Sequence, residues 1–212
     1  MIRQVMFDMD GTLIDSERLF LKANAQAATE LGVPHEPTDF LPLVGTAGAD
    51  GLAKMTALVG AANVPVFAER SVALVMQWVQ AGVPIACPGA AALLQRLQTR
   101  GLRLVLVTSS DAAYTRTMLE TAGLRDYFAA VHTRDGAKEK PDPALYLQAL
   151  ATPGSAPASA TVAVEDTVIG VQAARAAGLR ALQVVDLDAP APSATARVNN
   201  LAEAGDWLCT FA

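Results

Sequence analysis

The sequence predicts an α/β fold: a doubly wound parallel sheet with an α-helical cap domain inserted after its first strand. Three observations predict it. A helix, a glycine and a short apolar run follow one another three times, in "AALLQRLQTRGLRLVLVTSS", "MLETAGLRDYFAAVHT" and "GVQAARAAGLRALQVVD". Polar clusters fall where the apolar runs end. Between the first apolar run and the rest lies a segment, 16–80, that is helical in pattern and holds no convincing strand.

The elements follow in order. "RQVMFD" opens the chain as a buried strand, because its apolar residues run together instead of alternating. "SERLFLKANAQAATELG" and "AERSVALVMQWVQAG" carry apolar residues at helical spacing and make the insert. Gly101, Gly123 and Gly178 sit where a left-handed residue ends a helix. The runs Leu104–Val107 and Ala181–Val185 and the strand at 161–164 are short and apolar, as strands buried on both faces are. "TPGSAPAS" (152–159) and "DAPAPSATARVNN" (188–200) read as surface loops. Strands alternating with helices imply parallel pairing and right-handed crossovers. The expected core is 1–15 with 81–212, and the expected cap is 16–80.

Bulk properties narrow the function. A chain of 212 residues, 52% hydrophobic and 17% charged, buries a sizeable core. Its net charge of −5, with Lys and Arg scattered, argues against nucleic acid or acidic membrane as partner. No apolar run reaches the roughly 18–20 residues that span a bilayer, and Asp8 interrupts the N-terminal run too early for a signal peptide. Cys87 and Cys209 read as two buried thiols of a reducing compartment, with a single disulfide between them as the alternative. A cytoplasmic monomer acting on a small molecule is expected.

Four polar clusters carry the chemistry: Asp8/Asp10 with Gly11 and Thr12, Thr108/Ser109/Ser110, Lys140, and Glu165/Asp166. In a doubly wound sheet, strand ends converge on one crevice. Asp8 and Asp10, two apart in extended chain, face the same side, and Gly11 permits a sharp bend. A calcium loop also begins Asp-x-Asp, but its sixth and twelfth positions would be Leu13 and Leu19, where Gly and Glu are required. A solvated turn is the plain alternative for Asp8/Asp10, and a helix N-cap for Asp166 and Ser110. Carboxylates without a His or Cys cluster suit a hard cation, Mg2+ rather than zinc. Lys138 competes with Lys140 as the loop lysine of the third cluster.

In that order, Asp8-Met-Asp10-Gly11-Thr12-Leu13, Thr108-Ser109, Lys140-Pro141 and Glu165-Asp166-Thr167 resemble the four motifs of the haloacid dehalogenase superfamily. "DSE" at 15–17 and "EDTVIGVQAARAAG" at 165–178 resemble its β-phosphoglucomutase-like branch, whose Rossmann-like core carries a helical cap. The resemblance implies Asp8 as nucleophile, forming an aspartyl-phosphate, and Asp10 as the acid and base. It implies Thr108 as a hydrogen-bond donor to the phosphoryl group and Lys140 as the charge that offsets it. Mg2+ would be held by Asp8, the Asp10 carbonyl and Asp166, with Glu165 in support. Gly11, Thr12, Ser109 and Ser110 would line the substrate, and Gly45 and Thr46 would match the cap's specificity loop.

Charge arithmetic says why a cation is needed. A phosphate facing an ionised Asp8 meets a repulsion of roughly 4 kcal/mol per charge pair at about 4 Å in an effective dielectric near 20. Mg2+ and Lys140 reverse that sign. The expected activity is a Mg2+-dependent phosphatase acting on a small phosphate monoester. The alternative is a β-phosphoglucomutase-type phosphomutase, which needs basic residues for a second phosphate. "PLVGTAGADG" (42–51) contains none, and Asp111 follows "TSS". A non-catalytic regulatory protein is a third reading, against which Asp8, Asp10 and Asp166 all stand.

Overall fold

The structure, a computed structural model, describes residues 1–211. Strand β1 (Gln4–Phe7) is followed by helices α1 (Ser16–Glu30), α2 (Gly48–Val59) and α3 (Val64–Gln80), with a 3-10 turn at Pro37–Leu43. Then come α4 (Ala90–Thr99), β2 (Arg103–Val107), α5 (Ala112–Thr121), β3 (Ala130–His132), α6 (Ala144–Ala151), β4 (Thr161–Glu165), α7 (Val168–Ala176), β5 (Arg180–Val184), β6 (Ala196–Val198) and α8 (Leu201–Cys209). The chain divides into two compact units, Met1–Ile14 with Ala86–Ala212, and Asp15–Ile85.

The first unit is a six-stranded sheet in the order β3-β2-β1-β4-β5-β6, with every pair parallel. The expected doubly wound sheet is therefore present. Strands β1, β2 and β4 are apolar on consecutive residues because both of their faces are covered. Met6, Val105, Val107 and Ala163 pack on Leu145, Tyr146 and Ala149 of α6 and on Val171 and Ala174 of α7. Alternate residues such as Val5 and Leu104 point to the opposite face, where α4 and α8 lie together. Gly101, Gly123 and Gly178 take φ of 74°, 67° and 81°, ending α4, α5 and α7 as read from the sequence.

One strand departs from the expectation. Residues 188–200, read as a loop, contain β6, whose Ala196, Arg197 and Val198 pair with Leu182, Gln183 and Val184. Three residues between Ser/Thr and Asn give too short an alternation to register as a strand. The expectation of buried thiols is also corrected. Cys87 and Cys209 are half-buried, and no disulfide joins them.

The register places the site. Phe7 lies opposite Leu106 in β2 and Val164 in β4. The next residue of each strand, Asp8, Val107 and Glu165, is therefore level at the carboxyl edge. β1 and β4 are neighbours, and the order runs on to β2 on one side and to β5 on the other, the switch point outside which such sheets bind ligands.

The second unit is helical. α1 packs along α3, and Phe40, Phe67, Leu74 and Val75 are buried, with the Phe40 and Phe67 rings stacked at 5.7 Å. The chain leaves and re-enters the sheet unit through a paired ribbon. Ile14 bridges Ala86 antiparallel, and the Cys87 N–H donates to the Leu13 carbonyl at 2.9 Å. On the helical side, the Asp15 N–H donates to the Ile85 carbonyl at 2.8 Å. No single helix among the described residues is long and apolar enough to cross a membrane.

Candidate active site

β1 ends by presenting Asp8, whose N–H donates to the Val164 carbonyl at 3.0 Å, so the residue is still fixed by the sheet. Its carboxylate receives the Lys140 ammonium at 2.5 Å. The same Nζ donates to the Val107 carbonyl at 2.9 Å and lies 2.7 Å from Glu165 Oε1. The Lys140 side chain is 4% exposed and that of Lys138 is 82% exposed, which separates the two lysines. Lys140 begins a cis peptide to Pro141, and its N–H lies 3.4 Å from Ser109 Oγ.

Glu165 is gripped on several sides. The Tyr146 hydroxyl, on the buried face of α6, donates to the Oε1 that also meets Lys140. Its carboxylate lies against the start of α7, where a Cβ on Gly170 would come within 2.0 Å of Oε2. Next to it, Asp166 Oδ1 accepts from Thr12 Oγ1 at 3.1 Å, and its carbonyl accepts from Gln183 Nε2 at 2.8 Å. Thr167 caps α7, its hydroxyl oxygen accepting from the Gly170 N–H.

Asp10 follows on the turn that Gly11 makes at φ 76°, with the Gly11 N–H donating to the Ile14 carbonyl at 2.8 Å. Its two carboxylate oxygens are held from the start of α5, Oδ2 by the Ser110 hydroxyl at 2.7 Å and Oδ1 by the Tyr114 hydroxyl at 3.2 Å. Thr108 continues β2, its N–H donating to the His132 carbonyl at 3.0 Å, and its Oγ1 accepts from the Ser110 N–H at 3.1 Å.

The electrostatics follow from burial. Burial pushes the Asp8 carboxyl well above the usual carboxylate range, Lys140 pulls against that rise, and Glu165 and Asp10 add to it. Burial alone would lower the Lys140 ammonium, but the Asp8 and Glu165 carboxylates outweigh it and hold it above the ordinary lysine value. Burial and the same carboxylates also keep the Tyr146 phenol protonated. Asp8, Glu165 and Asp166 bring carboxylate oxygens within 4.8 Å of one another. This oxygen-only donor set fits a hard divalent cation.

The structure thus brings together Asp8, Asp10, Gly11, Thr12, Thr108, Ser109, Ser110, Lys140, Glu165 and Asp166. Gly45 and Thr46 belong to the helical unit, where Gly45 takes φ 65° and the Thr46 hydroxyl donates to the Leu43 carbonyl at 2.6 Å. Sequence reasoning missed Tyr114, Tyr146 and Gln183. The findable signal was Gln183, a lone amide inside the apolar run "RALQVV" that has to satisfy its polar atoms. It does so by donating to the Asp166 and Ala189 carbonyls and accepting from the Ala191 N–H.

The profile of haloacid dehalogenase-like hydrolases matches residues 5–184, which includes all four clusters. The chain belongs to this family. Within the haloacid dehalogenase-like hydrolases, it is 36% identical over 211 residues to a protein encoded in the fgs 3' region of Lacticaseibacillus casei, covering 98% of this chain and 97% of that one. It is 30% identical over 177 residues to the phosphorylated carbohydrates phosphatase of Thermotoga maritima, covering 82% and 81%. The crystal structure of CbbY from Rhodobacter sphaeroides in complex with phosphate superposes with a TM-score of 0.76 at 28% identity, covering 97% of this chain and 99% of that one.

Proposed function

We propose that this haloacid dehalogenase-like hydrolase is a Mg2+-dependent phosphatase that hydrolyses a small phosphate monoester, a sugar phosphate or similar metabolite, through an aspartyl-phosphate on Asp8. The observation that carries the reading is the buried Asp8–Lys140–Glu165 contact, with Asp10 two residues away and held separately. An Asp8 oxygen attacks phosphorus and the bond to the ester oxygen breaks, while Asp10 gives that oxygen its proton. Asp10 then takes a proton from water, whose oxygen attacks the aspartyl-phosphate. The bond from phosphorus to Asp8 breaks, releasing inorganic phosphate and restoring the Asp8 carboxylate.

Lys140 is fixed beside the nucleophile, where it offsets charge on the phosphoryl oxygens, and the Thr108 hydroxyl donates to one of them. Asp8, Asp166 and the Asp10 carbonyl would hold Mg2+, supported by Glu165, and the ion would supply the remaining positive charge. The Oε1 of Glu165 is already shared by Lys140 and Tyr146, so its main work is to hold the lysine. Gly45 and Thr46 are candidate substrate contacts of the helical unit, which would act as the cap that selects the ester and excludes water.

The phosphatase reading is favoured over a phosphomutase by the start of α5. There the Asp111 carboxylate accepts from the Tyr114 N–H and the Asp135 carboxylate accepts from the Ala112 N–H, each at 2.9 Å. The helix terminus next to Asp10 is therefore taken by two acids, which repel a second phosphate. Arg134, close by in sequence, is tied to Glu139 at 2.7 Å.

The test is Mg2+-dependent phosphate release from sugar phosphates, phosphoglycolate and nucleotides, with Asp8→Asn as control. β-Glucose 1-phosphate with a bisphosphate primer belongs in the same panel, followed for isomerisation. Release by the wild type that disappears in Asp8→Asn is expected. Isomerisation without net release would identify a mutase, and turnover surviving in Asp8→Asn would remove that residue as nucleophile.

A further inference from the structure

Asp10 is bound at both of its carboxylate oxygens by hydroxyls from a different element. Ser110 precedes α5 and Tyr114 lies in its first turn, about 100 residues along the chain from Asp10. That turn is itself fixed, since Asp111 caps the helix by accepting from the Tyr114 N–H at 2.9 Å. The Tyr114 ring is only half-buried, so packing alone does not account for a phenol whose hydroxyl reaches a carboxylate across the sheet edge. A group that gives a proton and later takes one back works only if it points at the reacting oxygen in both steps. Errors on the order of 1 Å in such placement cost about 100-fold. Asp10 comes immediately before Gly11, whose left-handed φ of 76° turns the chain away from β1, so the carboxylate sits beyond the sheet's ladder and the two hydroxyls reach it there.

We propose that Tyr114, together with Ser110, is a positioning residue for proton transfer, holding the Asp10 carboxyl on the leaving oxygen of the ester. This rests on the reading of Asp10 as the acid and base. It predicts a dependence on the leaving group. An alkyl ester expels an alkoxide that needs a proton as the bond breaks, whereas p-nitrophenolate departs without one. Loss of aim at Asp10 therefore slows transfer to Asp8 from alkyl esters and spares transfer from the aryl ester.

The experiment measures kcat/KM, which reports the first phosphoryl transfer, for glucose 6-phosphate, sorbitol 6-phosphate and glycerol 3-phosphate against p-nitrophenyl phosphate, all with Mg2+. Tyr114→Phe keeps the ring and removes only the hydroxyl. It is expected to lower kcat/KM on the alkyl esters about 10- to 100-fold, part of the 100- to 10,000-fold that general acid catalysis contributes, and to change the aryl ester less than about twofold. Ser110→Ala should show the same split, and Asp10→Asn a larger one. An equal fall on both ester types, or no fall on either, overturns the positioning role. So does an Asp10→Asn variant without the split, which leaves the phosphatase reading standing if the wild type releases phosphate. Release from none of the four esters by the wild type overturns that reading and this proposal with it.

Discussion

Lys140 lies between Asp8 and Glu165 with 4% of its side chain exposed, whereas Arg70 of α3 meets Glu30 of α1 with 40% exposed. The Arg70 pair is the better one by geometry, two hydrogen bonds of 2.6 and 3.0 Å from a single guanidinium. Water and salt nevertheless weaken it, as they weaken the Lys54–Asp50 and His35–Asp39 contacts of the same unit. At the sheet edge the Lys140, Asp8 and Glu165 side chains are at most 10% exposed, so water and salt screen them far less and each depends on the others. Charge on the helical unit is expected to be replaceable, and charge at the edge of β1 and β4 is not. That asymmetry suits a site whose work is electrostatic.

Removing the buried lysine should have the largest effect. Lys140→Met leaves Asp8 and Glu165 facing each other without a cation, and is expected to abolish turnover and cost about 3–5 kcal/mol in urea unfolding. Wild-type stability in this variant would mean that the buried pair is no more consequential than the exposed ones.

Metal addition comes next. Mg2+ at about 100 times its Kd should stabilise the protein by about 2.7 kcal/mol, read as a rise in Tm that EDTA reverses and Asp166→Ala abolishes. A rise that persists in Asp166→Ala would place the ion elsewhere. Gly170→Ala should cost about 1–3 kcal/mol, because its Cβ meets Glu165 Oε2 at 2.0 Å and Glu165 is already held by Lys140 and Tyr146. Turnover should drop with it, by about 100-fold if the lysine is displaced by 1 Å. Unchanged kinetics would show that Glu165 can shift without consequence.

The smallest effect belongs to Arg70→Ala. The Arg70 and Gln26 hydrogen bonds, in that order, hold the Glu30 carboxyl at about 2 instead of 4.5. A depressed carboxyl stabilises the fold above its unfolded pKa and loses that contribution as pH falls through the folded value. The pair therefore helps above pH 4.5 and fades toward pH 2. In the variant, the Glu30 titration followed by NMR should move up toward 4.5, with neutral-pH Tm and turnover unchanged. A large loss of Tm at neutral pH would erase the contrast between the two regions.

Most of the sheet was legible because strands buried on both faces have to be apolar throughout, as "VMF", "LVLV" and "TVAV" are. Asp8, Thr108 and Glu165 were legible for the converse reason: each is the polar residue that stops such a run. β6 was not, because an edge strand of three residues needs neither apolar faces nor length. Tyr114 and Tyr146 were hidden differently. Each sits on a helix where an aromatic residue reads as packing, and only tertiary structure carries its hydroxyl to Asp10 or Glu165. Loop position could not separate Lys138 from Lys140, since what distinguishes them is burial.

The ribbon at Ile14 and Ala86 has a meaning beyond architecture. Departing and returning chains run side by side and are hydrogen-bonded to each other on both sides of the boundary. The segment between them begins and ends at neighbouring points, the condition under which one domain is tolerated inside another. Any stretch whose own ends lie equally close could be grafted there with no change in strand order or register. Recombination at that point would exchange the whole helical unit in one event, while Asp8, Asp10, Lys140, Glu165 and Asp166 pass on unaltered.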